Sequence, residues 1–377
     1  MTRVVPFVQV HRRTYQRGVS LVELMVGMLI GMLAILVISQ VLLVSEGQKR
    51  TTTSGADAQV NGALSLYTIT RDIQTAGYGF SSSPALIGCN IDARFGGAVA
   101  AEFPTTLAPV FITLQPSGDA AIRILASSKT SYTVPTRVIP PGFAVNGLSF
   151  PVASSMGFVQ GDLGLVAVDS TQPCSVFQVT AAPTAMSIPR ANDGARWNTA
   201  GTPVQAYGDG SVMVNLGTLV DNTYSLSNGA LTMTSFDIAN PTVSPRPARV
   251  IQSDVVALRA YYGRDTSVPA DGIVDVYDTT TPTTNAGWLR VLSVRIVVVS
   301  RSGQYEKSVV PGEYVTPANP SVDVGATPAT TGATACGASQ CVTINVGAGV
   351  AGDVDAKHYR YKVFETIVPL RNMMWSS

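Results

Sequence analysis

From Leu24 to Val44 the chain runs for 21 residues without a charged side chain. As an α-helix rising 1.5 Å per residue, such a run is about 30 Å long, the thickness of a bilayer's hydrocarbon core. A helix that is apolar all round has no face to turn to water and needs lipid or other apolar helices about it. The residues that follow, Ser45-Glu46-Gly47-Gln48-Lys49-Arg50, lack the small-x-small pattern of a signal-peptidase site, so the segment reads as retained. Arg3, Arg12, Arg13 and Arg17 precede it with no acid before Gly18, and the rest of the chain carries a slight acidic excess. A basic flank stays in the cytoplasm, which places the remainder on the far side of the membrane.

Glu23 is out of place in this pattern. It follows Leu21 and Val22 and stands at the edge of the apolar run, where an unpaired carboxylate is costly. Gly27 and Gly31 form a G-x-x-x-G within the run, a spacing that lets membrane helices approach closely. Beyond residue 44 a helical period persists. Leu66, Ile69, Ile73 and Ala76 recur at three- and four-residue steps, and Val60, Leu64 and Tyr67 are assigned to the same amphipathic face. Gly47, Gly55 and Gly62 each weaken a helix by about 1 kcal/mol relative to Ala, so a break is expected near 47–56. Gly77 and Gly79 are natural stops.

From Tyr78 onward the period shortens to two. Asn228-Gly229 in SLSNGALTM is a two-residue hairpin signal. In WLRVLSVRIVVVS, Leu292, Val294, Ile296 and Val298 alternate with Ser293 and Arg295; in HYRYKVFETIV, Tyr359, Tyr361 and Val363 alternate with Arg360 and Lys362. GDLGLVAVD and CSVFQVT read as a strand pair. Strands joined by turns, with no helices between them, indicate antiparallel sheet. The fold class expected is α+β: a long N-terminal membrane-spanning helix followed by a large antiparallel β-rich domain. Its divisions are a basic leader (1–18), a membrane helix (19–44), an amphipathic extension (45–77) and a β-rich unit (78–377). Within the last, the uncharged Gly-, Ala- and Thr-rich stretch 324–352 reads as a flexible loop.

Composition excludes several functions. With 25 basic and 24 acidic residues the chain lacks the strong basic excess of a nucleic-acid binder. The two histidines are His11, in the leader, and His358, so histidine-cluster metal sites are excluded and triad chemistry would rest on His358 alone. His358 reads as a surface strand residue, no nucleophile motif or phosphate loop is present, and an enzyme is not expected. No cofactor is implied. The four cysteines allow three pairings; in an oxidising compartment Cys336–Cys341 is expected to close a small loop and Cys89–Cys174 to form a second bridge, with free buried thiols as the alternative. In DTSVPADGIVDVY, Asp265, Asp271 and Asp275 surround a glycine, a set suited to a hard cation such as Ca²⁺. Their spacing departs from an EF-hand, and a polar β-turn with Asp271-Gly272 at its corner is the plainer reading.

Gly18-Val19-Ser20-Leu21-Val22-Glu23, after a short basic leader and before the apolar helix, resembles the class III signal of type IV pilins and pseudopilins. The resemblance implies cleavage by a prepilin peptidase between Gly18 and Val19, N-methylation of Val19, and Glu23 as the family's glutamate at the fifth mature position. The family usually has Phe where this chain has Val19. Three later segments, RDIQTAGYGF (Arg71–Phe80), GDLGLVAVDSTQPCSVFQVT (Gly161–Thr180) and Ser253–Gly303, resemble the large PilW-type minor pilins. That resemblance implies a minor pilin that helps prime type IV pilus assembly and enters the filament at low abundance near the tip. Its partners would be other minor pilins, the major pilin, the prepilin peptidase, the inner-membrane assembly platform, membrane lipid and a tip adhesin. Its location would be the inner membrane, single-pass with the C-terminal unit periplasmic, and then the pilus. The alternatives are a minor pseudopilin of type II secretion, or an anchored periplasmic binding protein or adhesin that never enters a filament.

Overall fold

The computed structural model describes residues 18–130, 133–191, 196–198, 205–242, 244–305, 320–346 and 359–374. The chain divides into two units, Met1–Thr53 and Ser54–Ser377. A single helical element, Leu21–Thr75, supplies the described part of the first unit and the opening of the second. Helical bonding continues through 47–56, so the expected break is not found; three glycines at about 1 kcal/mol each lower helix propensity without removing a hydrogen bond.

In the second unit, two five-stranded sheets carry most of the fold. One has the order Ala248–Ser253, Ala230–Ser235, Val220–Ser227, Ala120–Ala126, Val110–Leu114, antiparallel throughout. Its central hairpin turns at Asn228-Gly229, both with positive φ (51° and 71°), the type I′ geometry that this dipeptide favours. The other sheet has the order Ala329–Thr330, Val276–Asp278, Val255–Arg264, Val291–Arg301, Tyr361–Pro369. It is antiparallel except where Val276 and Tyr277 pair with Ala329 and Thr330. A third five-stranded sheet is built on the expected pair Leu163–Ala167 and Cys174–Gln178, in register Leu163↔Gln178.

That pair is buried on both faces, each with its own core. Leu163, Leu165, Cys174 and Val176 join the main core with Ile69, Ile73, Phe80 and Trp288. Val166 and Phe177 join a smaller core with Phe143, Phe150 and Tyr207, in which the Phe143 and Phe150 rings stack at 3.9 Å. The Val291–Arg301 strand is buried on both sides as well. Val294, Ile296 and Val298 face the main core, while Val297 and Val299 pack against Val322, Val324, Val342 and Ile344.

This last contact corrects one expectation. The stretch read as a flexible loop over 324–352 holds strands Ser321–Gly325, Thr334–Cys336 and Ser339–Thr343, paired as a three-stranded sheet; residues 347–352 lie outside the described set. Because that sheet covers the strand, Arg295 on its second face is only 6% exposed. Its guanidinium bonds Glu365 and donates to the carbonyl of Val324 (3.1 Å). A buried charge is tolerated when it is paired and hydrogen-bonded.

The helix meets this unit through Ile69, Ile73 and Ala76, all fully buried. Replacing Ile73 by Ala is expected to destabilise the unit by about 2–5 kcal/mol through lost transfer energy and a residual cavity. A thermal melt of the full-length protein in detergent measures the loss, and an unchanged midpoint contradicts this docking.

Candidate functional site: the apolar helix and its polar start

Helical bonding begins where the Leu24 amide donates to the Ser20 carbonyl, 3.1 Å away. Glu23 lies in the first turn, where unsatisfied amides favour a carboxylate. From Leu21 to Glu46 every side chain is exposed, and this is the one described helix long and apolar enough to cross a membrane. Leu21 is 76% exposed and Leu43 73%. At about 25 cal/mol per Å² of apolar surface, a helix so uncovered requires a nonaqueous surrounding. Gly27 and Gly31 have open space where a Cβ would stand, so nothing within one chain requires glycine there. Gly18 and Val19 precede the helix, both exposed.

The helix is anchored at its other end by polar clasps that the period alone did not reveal. Asp72 accepts from the Tyr224 hydroxyl (2.7 Å) and from Asn222 Nδ2 (3.0 Å). Burial, reinforced by the Asp72 carboxylate, pushes the Tyr224 phenol well above its usual range, so it stays a proton donor. Gln252 Nε2 donates to Asn61 Oδ1 (2.6 Å), Ser300 Oγ to the Ala58 carbonyl (2.6 Å), and Asn372 Nδ2 to the Ala76 carbonyl (2.9 Å). At Gly62 a Cβ would run into the Phe364 ring and come within 2.7 Å of Ser300 Oγ. Its glycine therefore serves close helix–sheet contact. Val60, Leu64 and Tyr67 do not join this face; they are 54%, 49% and 65% exposed. At about 100° per residue they point away from Ile69 and Ile73, which corrects the single face assigned above.

Cys89 is joined to Cys174 and Cys336 to Cys341, the pairing expected from the sequence. Asp265, Asp271 and Asp275 each accept hydrogen bonds from amides of their own loop. Asp265, 2% exposed, accepts from the amides of Ser267 (3.0 Å), Asp271 (2.9 Å) and Gly272 (2.8 Å). Asp271 caps the Ile273 amide, and Asp275 accepts from the Thr266 amide at 2.7 Å. The three carboxylates brace a turn, as the plainer reading had it, rather than converging as cation ligands. Among the described residues the His, Cys, Asp and Glu trio whose ligand atoms do converge is Asp323, Cys336 and Cys341, and its two sulfurs are spent in a disulfide. His358 lies outside the described residues.

The Thr266 amide is the main cause of a lowered Asp275 pKa. A carboxyl lowered on folding stabilises its loop above the unfolded value, about 4, and the contribution is lost as pH falls through the folded value. Amide-exchange protection at Thr266 is therefore expected to drop in acid, and Asp275→Asn to lower it already at neutral pH. Equal protection in both proteins contradicts the brace.

Two family models match the chain. Residues 13–39 match the prokaryotic N-terminal methylation motif. Fold and N-terminus thus define a pilin-like chain: a prepilin-type start, one apolar helix and an antiparallel β-rich unit. Residues 219–372 match type IV pilus-assembly protein W, so the C-terminal part of the chain is similar to PilW-type minor pilins. No curated protein and no solved structure matches it. The matches point to a structural or assembly role connected with the type IV pilus, in contact with other pilus components.

Proposed function

We propose that the protein is a minor pilin that is cut between Gly18 and Val19 by prepilin peptidase, is methylated at Val19, and primes type IV pilus assembly from the inner membrane. It enters the filament at low abundance near the tip, alongside other minor pilins and the major pilin, with its C-terminal unit first periplasmic and then on the pilus. One observation carries the reading: a methylation motif opens an entirely exposed apolar helix on the same chain as a PilW-type region. The leader's arginines supply the cytoplasmic flank. Gly27 and Gly31, unneeded within one chain, suit close packing against a neighbouring helix.

The PilW-type match over 219–372 favours the pilus over type II secretion, because the N-terminal motif is shared by both kinds of chain. Mass spectrometry of the N-terminus, with and without prepilin peptidase, tests the proposal. The mature chain is expected to begin at Val19 only when the peptidase is present; an intact Met1 start in both strains would sink it.

A further inference from the structure

Three side chains that take no part in helix docking or membrane anchoring meet in the second unit. Lys129 follows the Ala120–Ala126 strand, Asp162 precedes Leu163–Ala167, and Asn215 lies in Val212–Gly217. One oxygen of Asp162, Oδ2, accepts from Lys129 Nζ (3.0 Å), Asn215 Nδ2 (2.8 Å) and the Val159 amide (3.0 Å). Asn215 is 2% exposed and Asp162 6%. The carbonyl oxygen of the asparagine side chain is not idle either: Oδ1 accepts from the Gly217 amide at 2.8 Å. Asn215 Nδ2 also donates to the Gly157 carbonyl, 2.8 Å away. The lysine stem is led in over Gly217, where a Cβ would come within 3.1 Å of Lys129 Cδ. The backbone on either side is pinned: Ser128 N donates to the Leu216 carbonyl (3.1 Å) and Ser127 Oγ to the Asn215 carbonyl (2.9 Å).

An ion pair needs only the lysine and the aspartate. Here a primary amine and a primary amide share one carboxylate oxygen, and the amide's carbonyl oxygen is held by a backbone N–H. These are the parts of an aminolysis: a nucleophile, a proton acceptor beside it, an acyl carbon, and a donor where negative charge would develop. We propose that Lys129 and Asn215 become joined by an intrachain isopeptide bond, with Asp162 carrying the protons.

Asp162 takes a proton from the Lys129 ammonium, and the freed amine attacks Asn215 Cγ while the Gly217 amide holds the oxyanion. The Nζ–Cγ bond forms and the Cγ–Nδ2 bond breaks. Asp162 passes its proton to the departing nitrogen and relays the next one from Nζ. The nitrogen leaves as ammonium, the positive charge of the lysine leaves with it, and Asp162 ends ionised as it began. No oxidant, reductant or activated co-reactant is required. Burial favours the step by excluding the water that would otherwise compete for the acyl carbon. The product is a covalent tie between the end of one sheet's strand and a strand of another, closing a loop of about 86 residues and restricting the unfolded chain as a disulfide does. Unlike the two disulfides, it would survive reduction.

Mass spectrometry of the full-length protein, purified in detergent and reduced, tests this. The mass should fall one ammonia short of that calculated from the mapped N-terminus, and a proteolytic map should join the Lys129 peptide to the Asn215 peptide. Both signs should vanish in Lys129→Arg, which keeps the charge opposite Asp162 and so preserves the fold, and in Asp162→Ala. Lys129→Arg should also melt several degrees below the parent. A full, uncorrected mass in the parent overturns the proposal. So does a deficit of one water mapped to Lys129 and Asp162, or an ammonia deficit that persists in Lys129→Arg, which would mark a succinimide at Asn215.

Discussion

Glu23→Ala is expected to leave the chain in the membrane but to reduce strongly its incorporation into pili. Insertion is governed by the apolar run that follows, and removing a carboxylate from the start of that run can only ease it. Assembly has the opposite requirement. Cleavage after Gly18 would create an amine at Val19, four residues from Glu23, and in a filament of packed helices that amine can meet a neighbour's carboxylate. Removing one partner of a buried pair typically costs about 3–5 kcal/mol, because the other charge is left without compensation. That corresponds to a change of more than a hundredfold in a docking equilibrium. Glu23→Gln separates charge from polarity and should fail like the alanine variant. The assay is an immunoblot of membranes beside a count of sheared surface pili. Normal pili in both variants, with normal amounts of this chain in them, would remove the ion pair from the account.

Much of this was legible in the sequence, for reasons that can be stated residue by residue. The long apolar helix was read from a run with no charge, and it is long and apolar enough to cross a membrane. Asn228-Gly229 was read because few dipeptides accept positive φ twice in succession. Ile69, Ile73 and Ala76 were read from their period, but Val60, Leu64 and Tyr67 were put on the wrong side, although angular bookkeeping around the helix separates them by about half a turn. The three-stranded sheet over 321–343 was missed because its alternating runs are short. Val322 with Val324, and Val342 with Ile344, are embedded in glycine, alanine and threonine. The clasp of Asp72 with Tyr224 and the meeting of Lys129, Asp162 and Asn215 carry no local signal at all. Their members are far apart in the chain, and only the register of the sheets brings them together.

Removing the Cys89–Cys174 bridge should destabilise the second unit far more than removing Cys336–Cys341. Both Cys89 and Cys174 are fully buried, and they close a loop with a sequence separation of 85. The bridge also ties down a short parallel pairing, Ile91 with Cys174, next to the hydrogen bond from the Cys174 amide to the Asn90 carbonyl (2.8 Å). Cys336 and Cys341 are only five apart, at the turn between two strands that already pair. In the chain-entropy account, the long loop contributes about 4.5 kcal/mol and the short one about 2 kcal/mol, a difference of about 2.5 kcal/mol. Paired substitutions to alanine, one bridge at a time, isolate the two contributions without leaving a buried hydroxyl unsatisfied. Denaturant unfolding of each variant in detergent gives the comparison. Both variants should show lowered midpoints, with the Cys89→Ala/Cys174→Ala protein losing about twice as much stability as the Cys336→Ala/Cys341→Ala protein. Equal losses, or the reverse order, would mean that the short bridge holds the three-stranded sheet over the Val291–Arg301 strand and that local order, not loop closure, sets the stability of this unit.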